Sequence, residues 1–146
     1  MKSLTFEIPI FDGGLSIAAS EETLAVMLLA LTAANVIYLR EHPQTPDIYA
    51  ASVVYVREAP GVERWKGIRR VIEDGYADCE DLAAYRAAWA IVVEGRVGAH
   101  VTFSGRETQP GFRLYHIFVQ YRDGTTEDPS ARLGMYSEEG AQWQSY

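Results

Sequence analysis

Hydrophobic and polar residues alternate with different periods along the chain, and these periods predict its helices and strands. An uncharged run of 17 residues, Thr23–Leu39, predicts a long helix with Ser20 as its N-cap and His42-Pro43 at its end. A run of this length is at the lower limit for a membrane span. The polar Thr32 and Asn35 within the run favour a core helix of a globular protein instead.

Shorter elements are predicted on both sides of this helix. Alternating apolar residues over Leu4–Ile10 predict a half-buried strand. The segment Ile48–Glu58 is interpreted as a helix, although its β-branched valines also fit a strand. The segment Glu63–Asp74 predicts a short amphipathic helix that ends before Gly75.

The strongest helical pattern of the chain covers Glu80–Glu94. Asp78 is placed to cap the N-terminus of this helix, and Gly95 is placed just after its last residue. Glu80 and Asp81 stand in the first turn, where negative charge is favourable to the helix dipole.

From residue 96 the hydrophobic period changes from helical to two. This period predicts three strands, over Val97–Ser104, Phe112–Tyr121 and Thr125–Asp128. A three-residue hairpin loop closed by Gly124 would place Phe118 opposite Asp128. Asp128 would then lie on the same face of the sheet as His116, whereas a two-residue loop would place it on the other face. We therefore predict one α+β domain.

Composition limits the classes of function. A chain of 146 residues is long enough to bury one core. A net charge of −7 disfavours nucleic acid as a partner. The single cysteine excludes an internal disulfide and any zinc site that needs two thiolates. No apolar segment lies between Lys2 and Glu7, so no secretory signal peptide is predicted.

Cys79 stands at the predicted start of the Glu80–Glu94 helix. A lone cysteine is commonly a small buried hydrophobic residue. At a helix N-terminus, however, free N–H groups stabilise a thiolate or an oxyanion. Neighbouring carboxylates act in the opposite direction. We predict that a nearby histidine and the helix terminus outweigh them, so that the pKa of the Cys79 thiol is lowered.

Four short segments together resemble the transglutaminase-like cysteine peptidase superfamily, and they are most similar to its small bacterial and bacteriophage members. These segments are Tyr76–Ala83, Tyr115-His116, Asp123-Gly124 and Glu127–Ser130. The resemblance covers about residues 63–135 of a single predicted domain, 1–146. It implies a papain/transglutaminase-like fold, with N-terminal helices and a cysteine-bearing helix packed on a small antiparallel β-sheet.

The resemblance also implies roles for individual residues. Cys79 would be the nucleophile, His116 its base and later its general acid, and Asp128 the residue that orients the imidazole. We expect a ring nitrogen of His116 to lie within about 4 Å of the Cys79 sulfur. The oxyanion would be bound by the Cys79 N–H and a second donor, for which there are three candidates, Tyr76, Trp65 and Tyr55.

A calcium site is also implied, because some bacterial proteases of this superfamily bind calcium through acidic residues around the cysteine. The residues concerned are Asp78 and Glu80, which otherwise serve as helix-capping and dipole-compensating residues. The triad itself requires no cofactor.

The implied function is thiol-dependent acyl chemistry on an amide bond of a protein or peptide, most simply by a cysteine protease. Transfer to an amine uses the same acyl-enzyme, and a phage peptidoglycan-cleaving role is also compatible with the triad. Two alternatives stay open: a non-enzymatic virion or assembly protein that retains the fold, and a metal site formed by Cys79, His116 and Asp128. We expect no membrane span and a cytoplasmic or virion-associated protein. The sequence leaves the oligomeric state open.

Overall fold

A computed structural model of the chain describes residues 14–59, 63–110 and 112–136. The predicted strand over Leu4–Ile10 lies outside the described residues. The elements are, in chain order, α1 (Ile17–Glu41), β1 (Val54–Tyr55), α2 (Ile68–Asp74), β2 (Tyr76–Ala77), α3 (Cys79–Val92), β3 (His100–Gln109), β4 (Phe112–Gln120), β5 (Thr126–Glu127) and α4 (Pro129–Arg132). This mixture of helix and sheet confirms the predicted α+β class.

Helix α1 begins earlier than the uncharged run suggests. The side chain of Ser16 caps it by accepting a hydrogen bond of 3.1 Å from the Ala19 N–H. The prediction of Ser20 as the cap is therefore wrong, because Ser20 is buried within the helix. The predicted end is confirmed, since His42 follows the last helical residue.

Helix α1 is also the one helix of the described residues that is long and apolar enough to cross a bilayer by length and composition. Core helices of soluble proteins pass the same test, so this property assigns no span. One side of α1 packs against α3 and the sheet, and 28 % of its most apolar window is buried. Among the residues that the structure describes, α1 is thus packed on one side.

The three-stranded sheet has the order β3-β4-β5, and all its pairs are antiparallel. Val119 pairs with Glu127, and the Tyr121 N–H donates to the Thr125 carbonyl at 2.8 Å. Gly124 has a φ of 86°, in the left-handed region that a three-residue loop requires at this position. The predicted register of the hairpin is confirmed.

The segment before Cys79 contains a second, two-stranded sheet that the sequence did not predict. Strand β1 pairs in parallel with β2, which leads directly into α3. The prediction of a helix over Ile48–Glu58 is wrong, because the segment forms a 3-10 turn over Ile48–Ala50 and then strand β1. The β-branched Val54 of this segment thus enters a strand instead.

Helix α2 is shorter than the predicted Glu63–Asp74 helix and begins at Ile68. Two side chains fix the backbone at the start of α2. Asp81 accepts a hydrogen bond of 2.7 Å from the Lys66 N–H, and Asn35 accepts one of 3.0 Å from the Ile68 N–H. These long-range contacts keep the backbone before Ile68 extended, and no local pattern predicts them.

Helix α3 lies in the centre of the fold, and Asp78 caps it as predicted. It ends at Val92, two residues before the predicted end. Five of its residues are fully buried alanines, Ala83, Ala84, Ala87, Ala88 and Ala90. Small side chains here allow α1 and the sheet to approach closely on one side, while Leu82 and Tyr85 pack with α2 on the other.

Candidate active site

Cys79 is the first residue of α3, and two neighbouring elements fix its position. Strand β2 holds the backbone before it, and the Asp78 Oδ1 atom accepts a hydrogen bond of 2.7 Å from the Cys79 N–H. The N–H that was expected to bind an oxyanion is therefore engaged by the capping carboxylate. This contact would have to open before that N–H could serve a substrate.

The Cys79 thiol is buried among carboxylates. The residue is 9 % exposed, and its S–H donates to Glu80 Oε2 at 3.5 Å. Burial raises the pKa of the thiol well above its ordinary value, and the charges of Glu80 and Asp78 raise it further. The Ile117 backbone N–H hydrogen-bonds to the sulfur and acts to lower the pKa, but does not reverse the shift. The predicted lowered pKa is wrong because desolvation dominates.

His116 and Asp128 form the pair that the hairpin register predicts. The His116 Nε2 atom lies 2.7 Å from Asp128 Oδ2, and both side chains are about one-third exposed. Burial acts to raise the pKa of Asp128, but the hydrogen bond with His116 and others from backbone N–H groups lower it overall. The second oxygen, Oδ1, accepts from the Ala131 N–H at 3.1 Å and caps α4. Asp128 thus orients the imidazole and caps a helix at the same time.

The structure brings the thiol next to the strand that carries the histidine. Ile117, whose N–H contacts the Cys79 sulfur, directly follows His116 in β4. Within the described part of the chain, no hydrogen bond joins the Cys79 sulfur to the His116 ring. Because an ionised Asp128 only accepts, Nε2 carries the proton and Nδ1 is the basic nitrogen left for the thiol.

The three candidate oxyanion donors lie in different surroundings. Tyr55 lies near both Asp78 and Cys79, and burial together with these charges raises the pKa of its hydroxyl. Trp65 packs against the core that contains Cys79, and its Nε1 donates to Glu63 at 3.4 Å. The Tyr76 ring instead lies under the Lys66 ammonium, 4.0 Å from the ring centre. Tyr55 is therefore the best placed of the three.

Carboxylates are concentrated around the start of α3. One ligand atom from each of Asp78, Cys79 and Glu80 lies within 4.8 Å of the others. Burial, followed by the neighbouring carboxylates, raises the pKa of Glu80 well above its ordinary range. Burial likewise raises the pKa of Asp81 to about 8, although Lys66 acts to lower it. The cluster therefore holds buried acidic groups whose full ionisation is unfavourable without a cation.

This cluster offers only part of a calcium coordination sphere. Calcium takes six to eight oxygen ligands, whereas Asp78 and Glu80 supply at most four. Asp78 also accepts from two backbone N–H groups, those of Cys79 and Glu58. Glu63, which interacts electrostatically with Asp78 and Glu80, is the further carboxylate available. Across the described ranges, Cys79, His116 and Asp128 do not form a three-ligand group of the kind that the zinc alternative requires.

A buried polar network behind Asp128 escaped the sequence analysis. Glu127 accepts hydrogen bonds from Arg86 Nε at 2.6 Å, from Tyr49 at 2.6 Å and from Tyr121 at 2.9 Å. Strand β5 is only two residues long, so these contacts to α3, to the 3-10 turn over Ile48–Ala50 and to the residue that follows β4 fix the backbone that presents Asp128. The available signal was Arg86, a charged residue in the middle of an apolar helical face.

The chain was compared with known proteins at three levels. No protein-family model, no curated protein and no solved structure matches it. The function therefore has to be argued from the site itself.

Proposed function

We propose that this protein is a thiol-dependent hydrolase of amide bonds, with a papain/transglutaminase-like arrangement of Cys79, His116 and Asp128. The observation that carries the proposal is the 2.7 Å contact between His116 and Asp128 on the strand whose next residue, Ile117, contacts the Cys79 sulfur. A buried thiol at a helix start, packed against the strand that carries an oriented imidazole, is an arrangement suited to nucleophilic catalysis.

The raised pKa of Cys79 determines how the thiol would be activated. At neutral pH the resting sulfur is protonated, and its S–H group is hydrogen-bonded to Glu80. His116 Nδ1 therefore accepts this proton as the sulfur attacks the carbonyl carbon, and the carbonyl oxygen becomes an oxyanion. The imidazolium then protonates the leaving amine, and an acyl-enzyme remains. Water, activated by the same imidazole, releases the acid and restores the thiol.

An oxyanion needs at least one donor that retains its proton. The high pKa of the Tyr55 hydroxyl keeps it protonated, and β1 holds Tyr55 beside the start of α3. We assign Tyr55 as the second oxyanion donor and the Cys79 N–H as the first, once the hydrogen bonds of both groups with Asp78 open.

The proposal is tested with two electrophiles. A peptidyl acyloxymethyl ketone presents a carbonyl that can engage the imidazole and the oxyanion donors, whereas iodoacetamide reports only the thiolate fraction. At pH 7 we expect the peptidyl reagent to modify Cys79 faster than iodoacetamide does, as measured by intact mass. Equal slow rates, with no cleavage of fluorescein-labelled casein, would favour the non-enzymatic alternative. Two observations favour that alternative: the pKa of the buried thiol is raised, and among the described residues its S–H donates to Glu80 with no hydrogen bond to His116.

Replacing Asp128 by asparagine is expected to slow modification of Cys79 by the peptidyl reagent by about tenfold to a hundredfold, less than the loss that the same substitution causes in serine proteases. The asparagine oxygen can still cap α4, but its amide donates where Oδ2 accepts, which disfavours the tautomer with basic Nδ1. Rates of modification and melting temperatures check this. Asp123→Asn, in the exposed hairpin loop, is the matched control. Equal rates at equal stability would leave Asp128 as a cap only.

We further propose that calcium promotes the reaction by binding at Asp78 and Glu80. A cation there would offset the carboxylate charges that raise the pKa of Cys79. Millimolar calcium is expected to accelerate alkylation of Cys79 by iodoacetamide severalfold, while the Glu80→Gln variant should respond less. Chelator-treated protein with magnesium is the control. A rate that is the same with and without calcium would contradict calcium binding and leave the triad proposal untouched.

A further inference from the structure

The side of α1 that faces away from α3 carries apolar residues through its middle. We call this side the outer face of α1 and define it by Glu22, Val26, Leu29, Ala33, Ile37 and Arg40, all of which are exposed. Val26 and Leu29 are each 66 % exposed, and Ile37 is 59 % exposed. The six residues recur every three or four positions and so form one continuous stripe.

Three polar residues of α1 lie on the opposite, inner side of the helix. Ser20, Thr32 and Asn35 are buried on the inner side. Thr32 donates to the Leu28 carbonyl at 2.8 Å, and Asn35 accepts from the Ile68 N–H. The apolar stripe therefore lies outside the core formed by the described residues, and a contiguous exposed apolar stripe marks an interaction surface.

We propose that the outer face of α1 binds the same face of a second copy of this chain, in an antiparallel, two-fold symmetric helix pair. The stripe is bounded by a negative residue at one end, Glu22, and by a positive residue, Arg40, at the other. A two-fold axis at residue 31 places each Glu22 opposite the Arg40 of the second copy. The charges on the surface thus complement themselves in this one orientation.

The same axis also pairs large side chains with small ones. Leu29 lies opposite Ala33 of the second copy, and Ile37 lies opposite Ala25, which is exposed at the edge of the stripe. Such large-to-small pairing lets two helices pack closely. A parallel pair would instead place Glu22 against Glu22 and Arg40 against Arg40, which is electrostatically unfavourable.

The length of the stripe sets the expected strength of the contact. Glu22 and Arg40 are separated by about 27 Å along the helix axis, at a rise of 1.5 Å per residue. A single helix pair of this length buries less than a standard protein interface, so we expect a dimer in a concentration-dependent equilibrium. A lipid surface is the less favoured occupant, because a chain of net charge −7 is repelled by anionic headgroups.

Sedimentation velocity of the full chain over a range of concentrations tests the proposal. Wild type is expected to shift from monomer to dimer as the concentration rises. Leu29→Glu should raise the dissociation constant at least about tenfold, because it places a charge in the centre of the contact. Val97→Glu is the matched control, since Val97 is 73 % exposed but lies outside α1. Melting temperatures establish that each variant is folded.

A charge reversal tests the orientation. Glu22→Arg should weaken the dimer, because each new charge then faces Arg40 of the second copy. The double variant Glu22→Arg, Arg40→Glu should recover wild-type affinity, since the pairing is restored with opposite signs. Failure of the double variant to recover would overturn the antiparallel arrangement. A wild type that stays monomeric at all concentrations would overturn the proposal, as would a monomer that sediments with phosphatidylcholine vesicles through Leu29.

Discussion

Replacing His116 by alanine is expected to slow modification of Cys79 by a peptidyl acyloxymethyl ketone by about 10²- to 10⁴-fold, the range found for loss of a general base. The large effect follows from the state of the thiol. Burial and two carboxylates raise the pKa of Cys79, so very little thiolate is present at neutral pH without a base. In a cysteine enzyme whose thiol is already ionised, the same substitution would reduce the rate of modification less.

The pattern of the loss distinguishes catalysis from packing. Alkylation by iodoacetamide should change far less in the His116→Ala variant, because that reagent does not engage the imidazole. His100→Ala is the matched control, since His100 is exposed on β3 and its ring contacts the Gly98 carbonyl. Peptidyl modification that is equally fast in wild type and His116→Ala would refute the triad, provided that both proteins melt at similar temperatures.

The pairing of His116 with Asp128 could be predicted from the sequence because it depends on local rules. Loop length and a left-handed glycine fix the register of a hairpin, and the register fixes which side chains share a face. The cap of α3 is predictable for the same reason, since Asp78 and the Cys79 N–H are neighbours in the chain. Features that depend on contacts within a few residues are thus recovered.

The surroundings of Cys79 depend on distant contacts and could not be predicted in this way. The sulfur is covered by β4 and by the core that α1 and α3 form, so desolvation dominates its pKa. Strand β1, which brings Tyr55 to the site, is two residues long and exists only through pairing with β2. The strand propensity of so short a segment is a weak signal, because tertiary contacts decide whether the segment forms a strand.

The second large effect is expected for Arg86→Met, which should lower the free energy of unfolding by about 3–5 kcal/mol. Arg86 is 5 % exposed and donates to Glu127 at 2.6 Å, while its Nη2 lies 2.8 Å from Glu94. Methionine fills much of the volume but leaves the Glu127 carboxylate without its cation. Urea unfolding measures the change. Arg69→Met, which removes an exposed pair with Glu73, should change stability little.

The Glu127→Gln substitution shows whether the unpaired charge causes this loss. In the Arg86→Met background it should restore part of the stability, because it removes the buried charge that lost its partner. In the wild-type background Glu127→Gln should lower the free energy of unfolding.

The contribution of the Glu127 charge to stability depends on pH. Burial acts to raise the pKa of Glu127, but Arg86, Tyr49 and Tyr121 lower it overall from the ordinary value of 4.5. The stabilisation is therefore present above about pH 4.5 and is lost as the pH falls through the lower pKa of the folded state. Urea unfolding of wild type and Glu127→Gln at pH 7 and pH 3 measures this. The same difference in the free energy of unfolding at both pH values would show that Glu127 acts through packing rather than charge.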